Sequence, residues 1–485
     1  MKIGLIPLDE RPVNTRFPRM IGEIAGLDVA LPPPGLQSRF RKPADCVALG
    51  DWLLRHAADM DALVVSLEML VYGGLVPSRI TDDRPLDALR RLDTLRELKR
   101  RHPKLPIYAF GLVTRISKNR ASVEEPDYWR ESGPELYGYS QRYDAHHFGG
   151  KPAPSHSPYA AHLQDMLRRR ARNHLVNLAT LDLLADDIFD LLVISSDDTS
   201  EYGFGTREKA WLREWARRRG DDPRLLMYPG ADEVGSALLA RAFLAALGKK
   251  PRFFVHCAIP ADAERIAPFE DGPVRLTLQR QIRAVGGEPV DNIDHADLLV
   301  ALNTPVPSGS DFYNPAQAAS DRAYRAEAVE SFAAQIADWT AAGKRVIVCD
   351  VAYPNGSDPV LIEALQRHVP LLSLAAYGAW NTAGNTIGVA LAQGIAHMHL
   401  VDAAAAQHFL ARRFVEDHCY MQCVRPRLDD SATLYSAAAE REMTTLAAQS
   451  LQAEIDRLPD LLGWRVANVR LPWRRRFEVD FDLEN

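Results

Sequence analysis

The 485-residue chain is 47% hydrophobic and 25% charged, the make-up of a folded globular protein with room for a large core. Its 58 Lys and Arg against 64 Asp and Glu give a net charge of −6; this charge, with no long basic run, argues against a nucleic-acid binder, which needs a basic face. Five irregularly spaced cysteines argue against a disulfide framework. No run reaches the ~18 apolar residues of a membrane span. The expectation is a cytoplasmic protein without nucleic-acid or membrane partners, with self-association as a homo-oligomer left open.

In chain order, short apolar runs predict strands at 2–7, 28–31, 62–67, 106–113, 190–196, 224–228, 252–257, 297–302, 345–350 and 371–376. Several are apolar throughout, as in sheets covered on both faces. Helical spacing fills the gaps at 85–101 and 159–185, and "SALLARAFLAALG" closes on Gly248, a helix stop. The arginine runs "RRRAR" (168–172) and "RRRFE" (474–478) are short, and the first reads as a solvated helix face. Residues 114–158 form a polar insertion rich in Tyr, Pro, Gly and His, long enough to be a lid or to carry elements of its own. From 403 the pattern is helical and then alternates like a hairpin in "WRVANVRLPWRRRFEVDFDLE". This predicts an α/β catalytic domain over 1–402 and a helical and hairpin accessory region over 403–485. "DALVVSLEM" (61–69) and "DLLVALNTP" (297–305) echo one another, as buried parallel strands often do.

Polar residues gather just after the apolar runs: Asp9, Arg11 and Asn14; Glu68 and Tyr72; Arg115; Asp197, Asp198, Glu201 and Tyr202; Asp232; Asn303 and Asp311; Asp350 and Asn355; Trp380, Asn381 and Asn385. Ligands of α/β folds bind at that carboxyl edge. Eight contributing strands favour a (β/α)-barrel-like closure. The alternative is two doubly wound α/β lobes with a cleft, split near residue 250.

The pair Asp197-Asp198 in "SSDDTSEYG" is the strongest chemical signal. Neighbouring carboxyls can separate into an acid and an anion, the equipment of glycoside hydrolysis. The same pair could hold a hard cation or cap the next helix. "GAWNTAGNTIG" offers amides for sugar hydroxyls and an indole for an apolar sugar face, or a turn before a helix capped by Asn385 or Thr386. Arg11, beside two acids, could clamp an anion or act as an ion-pair strut. Tyr72 before Gly73-Gly74 reads as a turn that exposes its ring. His146, His147, His156 and His162 are scattered over the insertion and the helix after it, and read as parts of a mobile lid, not as a zinc site. Cys419 and Cys423 read as buried thiols. The dinucleotide, phosphate-loop and nucleophile-elbow signatures are absent.

The strings "IPLDERPVNTRFP", "VVSLEMLVYGGLVPSR", "FGLVTRIS", "SSDDTSEYG" and "GAWNTAGNT" resemble the bacterial family catalogued as domain of unknown function 4127, over residues 1–400 and the tail. That resemblance implies no activity. The Asp-Asp strand end, the acids after the next strand and the later Asn-Thr-Pro are in part similar to retaining N-acetylhexosaminidases of the O-GlcNAcase type. Those are barrels in which one Asp orients the substrate's acetamido group and the other is the general acid. The similarity implies that Asp197 orients, Asp198 protonates, and Asn303 and Asp311 hold sugar hydroxyls.

The resulting expectation is a glycoside hydrolase acting on a small carbohydrate, with an N-acetylated amino sugar as the implied substrate. Asp197 and Asp198 are its catalytic residues, no cofactor is required, and 114–158 closes over the site. One alternative is a divalent-metal-dependent hydrolase or isomerase of polyhydroxylated substrates, with Asp9, Asp197, Asp198 and Asp232 around the ion. The other is a non-catalytic sugar-binding protein.

Overall fold

The computed structural model describes all residues except 121–122, 156, 198, 311–314, 430 and 432–435, and the side chains of 315–317. The chain divides into two compact units. Unit 1 is Met1–Thr15 with Asp28–Ala242, and unit 2 is Arg16–Leu27 with Phe243–Asn485. The division near residue 242 lies close to the split of the two-lobe alternative. Residues 403–485 fall within unit 2 and do not form a unit of their own.

Unit 1 is built on β1 (Lys2–Ile6), β2 (Asp28–Ala30), β3 (Ala62–Ser66), β4 (Ile107–Val113), β5 (Leu191–Ser196) and β6 (Leu225–Pro229). They form one parallel sheet in the order β2-β1-β3-β4-β5-β6. Every residue of β3, β4 and β5 is buried, which is why these runs are apolar without alternation. The helices over it carry the expected stripes. Ala88, Leu92, Leu95 and Leu98 sink into one core with Leu63, Val65, Ile107 and Leu192.

Unit 2 is built on β7 (Arg252–Cys257), β8 (Glu288–Val290), β9 (Leu298–Asn303), β10 (Val346–Asp350) and β11 (Ala376–Gly378), also all parallel, in the order β11-β10-β9-β7-β8. The helix Ala383–Met398 is buried from Ala383 to Ala396. It lies so close to β10 that a Cβ on Gly394 would come within 2.2 Å of Ile347 Cδ1. A hairpin of β12 (Arg465–Arg470) and β13 (Asp480–Glu484) completes the unit. Arg16 ties that hairpin to the helix Pro12–Ile24 by ion pairs of 3.0 Å to Asp480 and 2.7 Å to Asp482.

The strands therefore do not close into the barrel that the sequence reading, and the hexosaminidase likeness, led us to expect. Among the described residues the parallel strands form two open sheets, of six and five strands. Each has a carboxyl edge of its own, which accounts for polar residues after so many strands without closure. The two strand orders match. Counted from its own first strand, each sheet runs 2-1-3-4-5, and the first adds a sixth. This is an order of doubly wound sheets, whose chain reverses direction beside the first strand. The echoing segments 61–69 and 297–305 contain β3 and β9, the third strand of each sheet.

Candidate active site

At the carboxyl edge of the first sheet, the turn after β1 delivers Asp9 and Arg11, the following helix Asn14, and the loop after β6 Asp232. All four are at most 5% exposed. Arg11 Nε donates to Asp9 Oδ1 at 3.0 Å and Nη2 to Asp9 Oδ2 at 2.8 Å, while its Nη1 and Nη2 also reach Asp232. Asn14 Nδ2 donates to both carboxylates, at 3.0 and 3.2 Å. Of the two roles open to Arg11, the geometry is that of the strut. Burial pushes the Asp232 carboxyl up, against the pull of Arg11. A divalent ion between Asp9 and Asp232 would have to take the place of this guanidinium. Among the described residues, no group of three or more His, Cys, Asp or Glu side chains is arranged to hold a metal ion.

After β3 the chain makes a π-helical turn, Glu68–Tyr72, closed by Gly73 at φ 83°. A Cβ there would meet the Ala44 backbone nitrogen at 2.6 Å, so glycine is required. This turn draws Glu68 inward, where the Leu112 backbone N–H donates to its Oε1 at 2.9 Å. Burial pushes its pKa up to about 7, and the charge of Asp197 adds to the rise. Tyr72 does not expose its ring. It is 3% exposed, with the Arg172 guanidinium 4.7 Å over the ring centre.

Asp197, just past β5, is held by Arg79. Arg79 also pairs with Glu124 at 3.1 Å and lies 3.7 Å from Glu125. Arg115, after β4, reaches the same two glutamates at 3.0 and 3.4 Å. The insertion thus carries elements of its own: the two glutamates, then the helix Trp129–Gly149, which holds His146 and His147. His162 lies on the next helix, stacked on Tyr128 at 4.5 Å; His156 lies outside the described residues. Arg79, Arg115, Glu125, Tyr128, Trp129 and Arg170 help to line a narrow, open-mouthed cleft. Glu201 is exposed and Tyr202 half-buried on the loop beyond Asp197. Asp198 and Asp311, the other expected acids, lie outside the described residues.

Asn303, Asp350, Asn355, Trp380, Asn381 and Asn385 belong to unit 2. Asn303 and Asp350 are fully buried in a network of their own. Asn303 Nδ2 donates to Asp350 at 2.8 Å and to Asp358 at 3.1 Å, and Arg325 pairs with Asp358 at 3.2 Å. Burial and the neighbouring Asp358 push Asp350 up to about 7. Trp380, expected as a platform for a sugar, is 3% exposed and packs edge-on against Phe477 at 5.9 Å. Asn355 and Asn381 both take positive φ, 62° and 64°, and the Asn355 N–H donates to the Asn381 carbonyl at 2.9 Å. The helix after them is capped by Thr382; Asn385 instead donates to the Thr382 hydroxyl at 3.1 Å.

The quoted strings therefore sit on two equivalent sheet edges along almost the whole chain, and the sequence comparison covers that span. The chain belongs to the family described as protein of unknown function (DUF4127), whose match spans residues 3–482. No curated protein matches it. In this DUF4127 chain, sequence reasoning left Glu124, Glu125, Tyr128, Trp129 and Arg170 out of the site. The run "VEEPDYW" inside the insertion, three acids and two aromatics around a proline, was the available signal.

Proposed function

We propose that the chain is a glycoside hydrolase working at the carboxyl edge of the first sheet, with Glu68 as the acid and Asp197 as the fixed carboxylate. The observation that carries this reading is a pair of neighbouring carboxyl groups in unlike surroundings, one of them bound to Arg79 of the cleft lining. Glu68 is pushed up to about 7 by burial, and Asp197 is ion-paired with Arg79. Groups whose surroundings separate them in this way divide the roles of proton donor and anion. Half-buried Tyr128 in the cleft lining offers an aromatic ring to a sugar. Asp198, adjacent in sequence, stays in the proposal as a further carboxyl to be tested.

The test is hydrolysis of a panel of aryl glycosides, N-acetylated amino sugars included, by the wild type, Glu68→Gln, Asp197→Asn and Asp198→Asn, each with and without chelator. The expected result is turnover that survives chelator and drops about 100-fold or more in Glu68→Gln and Asp197→Asn. Turnover that needs a protonated Glu68 falls as pH rises through about 7. Loss to chelator would favour the metal-dependent alternative. Absence of turnover from well-folded protein across the panel would overturn the proposal.

A further inference from the structure

Among the described residues, the cleft beside Asp197 is lined by four arginines, Arg79, Arg115, Arg169 and Arg170, against one carboxylate, Glu125. Their carboxylate partners Asp197, Glu124, Asp165 and Glu208 are not among the lining residues. The guanidinium groups are already fixed in place. Arg170 makes a two-point contact with Glu208, at 2.8 and 2.7 Å, and donates to the Thr114 carbonyl at 2.9 Å. Arg169 donates to Asp165 at 2.8 Å and to the Ile80 carbonyl at 2.5 Å. A guanidinium held by its own partners loses little freedom when it receives a ligand.

One donor in this lining lacks an acceptor. Arg79 Nε is buried and has no hydrogen-bond partner among the described residues, while the side chain as a whole is 3% exposed. A buried N–H of a charged group left unsatisfied is costly, and a ligand oxygen would remove the cost. Burial raises the Glu125 carboxyl, against the pull of Arg79 and Arg115. Positively charged, pre-ordered forks match carboxylate and phosphate oxygens better than neutral hydroxyls.

Resting on the hydrolase reading for what happens to the ligand, we infer that the cleft takes an acidic sugar, whose anionic oxygens are received by Arg79 and Arg115. The shared chemistry is a singly bonded anionic oxygen group, carried by a uronic acid or by a sugar phosphate.

The test measures calorimetric binding of glucose, glucuronate, galacturonate, glucose 6-phosphate and inorganic phosphate to the full chain at low and high salt. We expect an acidic sugar to bind at least about 10-fold more tightly than glucose, with the preference shrinking at high salt. Preference for glucuronate or galacturonate identifies the carboxylate source, and preference for glucose 6-phosphate identifies the phosphate. Arg115→Gln should remove most of the preference and Arg115→Lys only part of it. Equal affinity for acidic and neutral sugars, binding of glucose alone, or no binding of any probe overturns the inference. Hydrolysis of neutral aryl glycosides without acidic ones would sink the inference and keep the hydrolase. Tight binding of acidic sugars without hydrolysis of any aryl glycoside or uronide would do the reverse.

Discussion

The carboxyl edges of the two sheets begin from the same strand order and end in opposite states. At the first edge, Asp197 and Arg115 keep 13% and 22% of their side chains exposed beside a cleft. At the second, Asn303, Asp350 and Asp358 are at 0%. There the long π-helical segment Val415–Val424 brings in further charge: Arg413 pairs with Glu416 at 3.1 Å and with Asp417, and Asp417 accepts from the Ala379 N–H at 2.7 Å. The comparison teaches that polar residues after a strand mark a sheet edge. Whether the edge is open to a ligand or sealed depends on how completely those residues are buried.

The largest effect should come from breaking the sealed edge. Arg413→Met leaves Asp417 buried without its cation and Glu416 with Arg412 alone, at 4.0 Å, and should cost about 3–5 kcal/mol in a denaturant titration; a loss below about 1 kcal/mol would mean that the network holds nothing together.

Acidity gives the next effect. Asp350 and Glu416 are raised to about 7 and Asp417 to about 6, in each case chiefly by burial, which outweighs the neighbouring arginine. The folded state therefore holds protons that the unfolded chain gives up near pH 4. Their contribution to stability is full below about pH 4 and is lost as pH rises to about 7. Asp350→Asn should make the fall between pH 5 and 7 shallower, by up to about 1.4 kcal/mol per pH unit. A slope unchanged by the substitution would show that Asp350 is already ionised in the fold.

Gly73→Ala probes the turn that places Glu68. It forces a Cβ into the Ala44 backbone at positive φ and should destabilise by more than about 1 kcal/mol, with turnover falling further than that of a control matched in stability. The smallest change is expected at the open edge. Arg115→Gln should cost about 1 kcal/mol or less, since Arg79 still pairs with Glu124 and lies close to Glu125. A cost as large as that of Arg413→Met would erase the distinction between the edges.

Much of the sheet architecture was legible because its strands are local apolar runs. β8 was missed because Glu-Pro-Val carries no apolar pattern, and the last strand was displaced because Leu371–Ser373 turns into a short 3-10 helix before β11 begins. Closure was not legible at all, since it depends on which strands pair and not on what each contains. At the site, Asp197 announced itself as charge after a buried strand. Its partner Arg79 stands 118 residues away. Buried arginines such as Arg325 and Arg413 run against the usual exposure of that residue, so the burial of Asn303 and Asp350 among them was not legible.

The ion pairs of Arg16 have a consequence for biosynthesis. This side chain is made with the first strand of unit 1 but belongs to unit 2, and its partner Asp480 lies 464 residues downstream. At about 5–20 residues per second, Arg16 waits roughly 20–90 s for that partner to be translated. Over that interval the helix that carries it has to be tolerated half-docked or shielded by a chaperone. Unit 1 can gather its strands while the ribosome is still at work, whereas unit 2 receives its final clasp only after the hairpin has been translated.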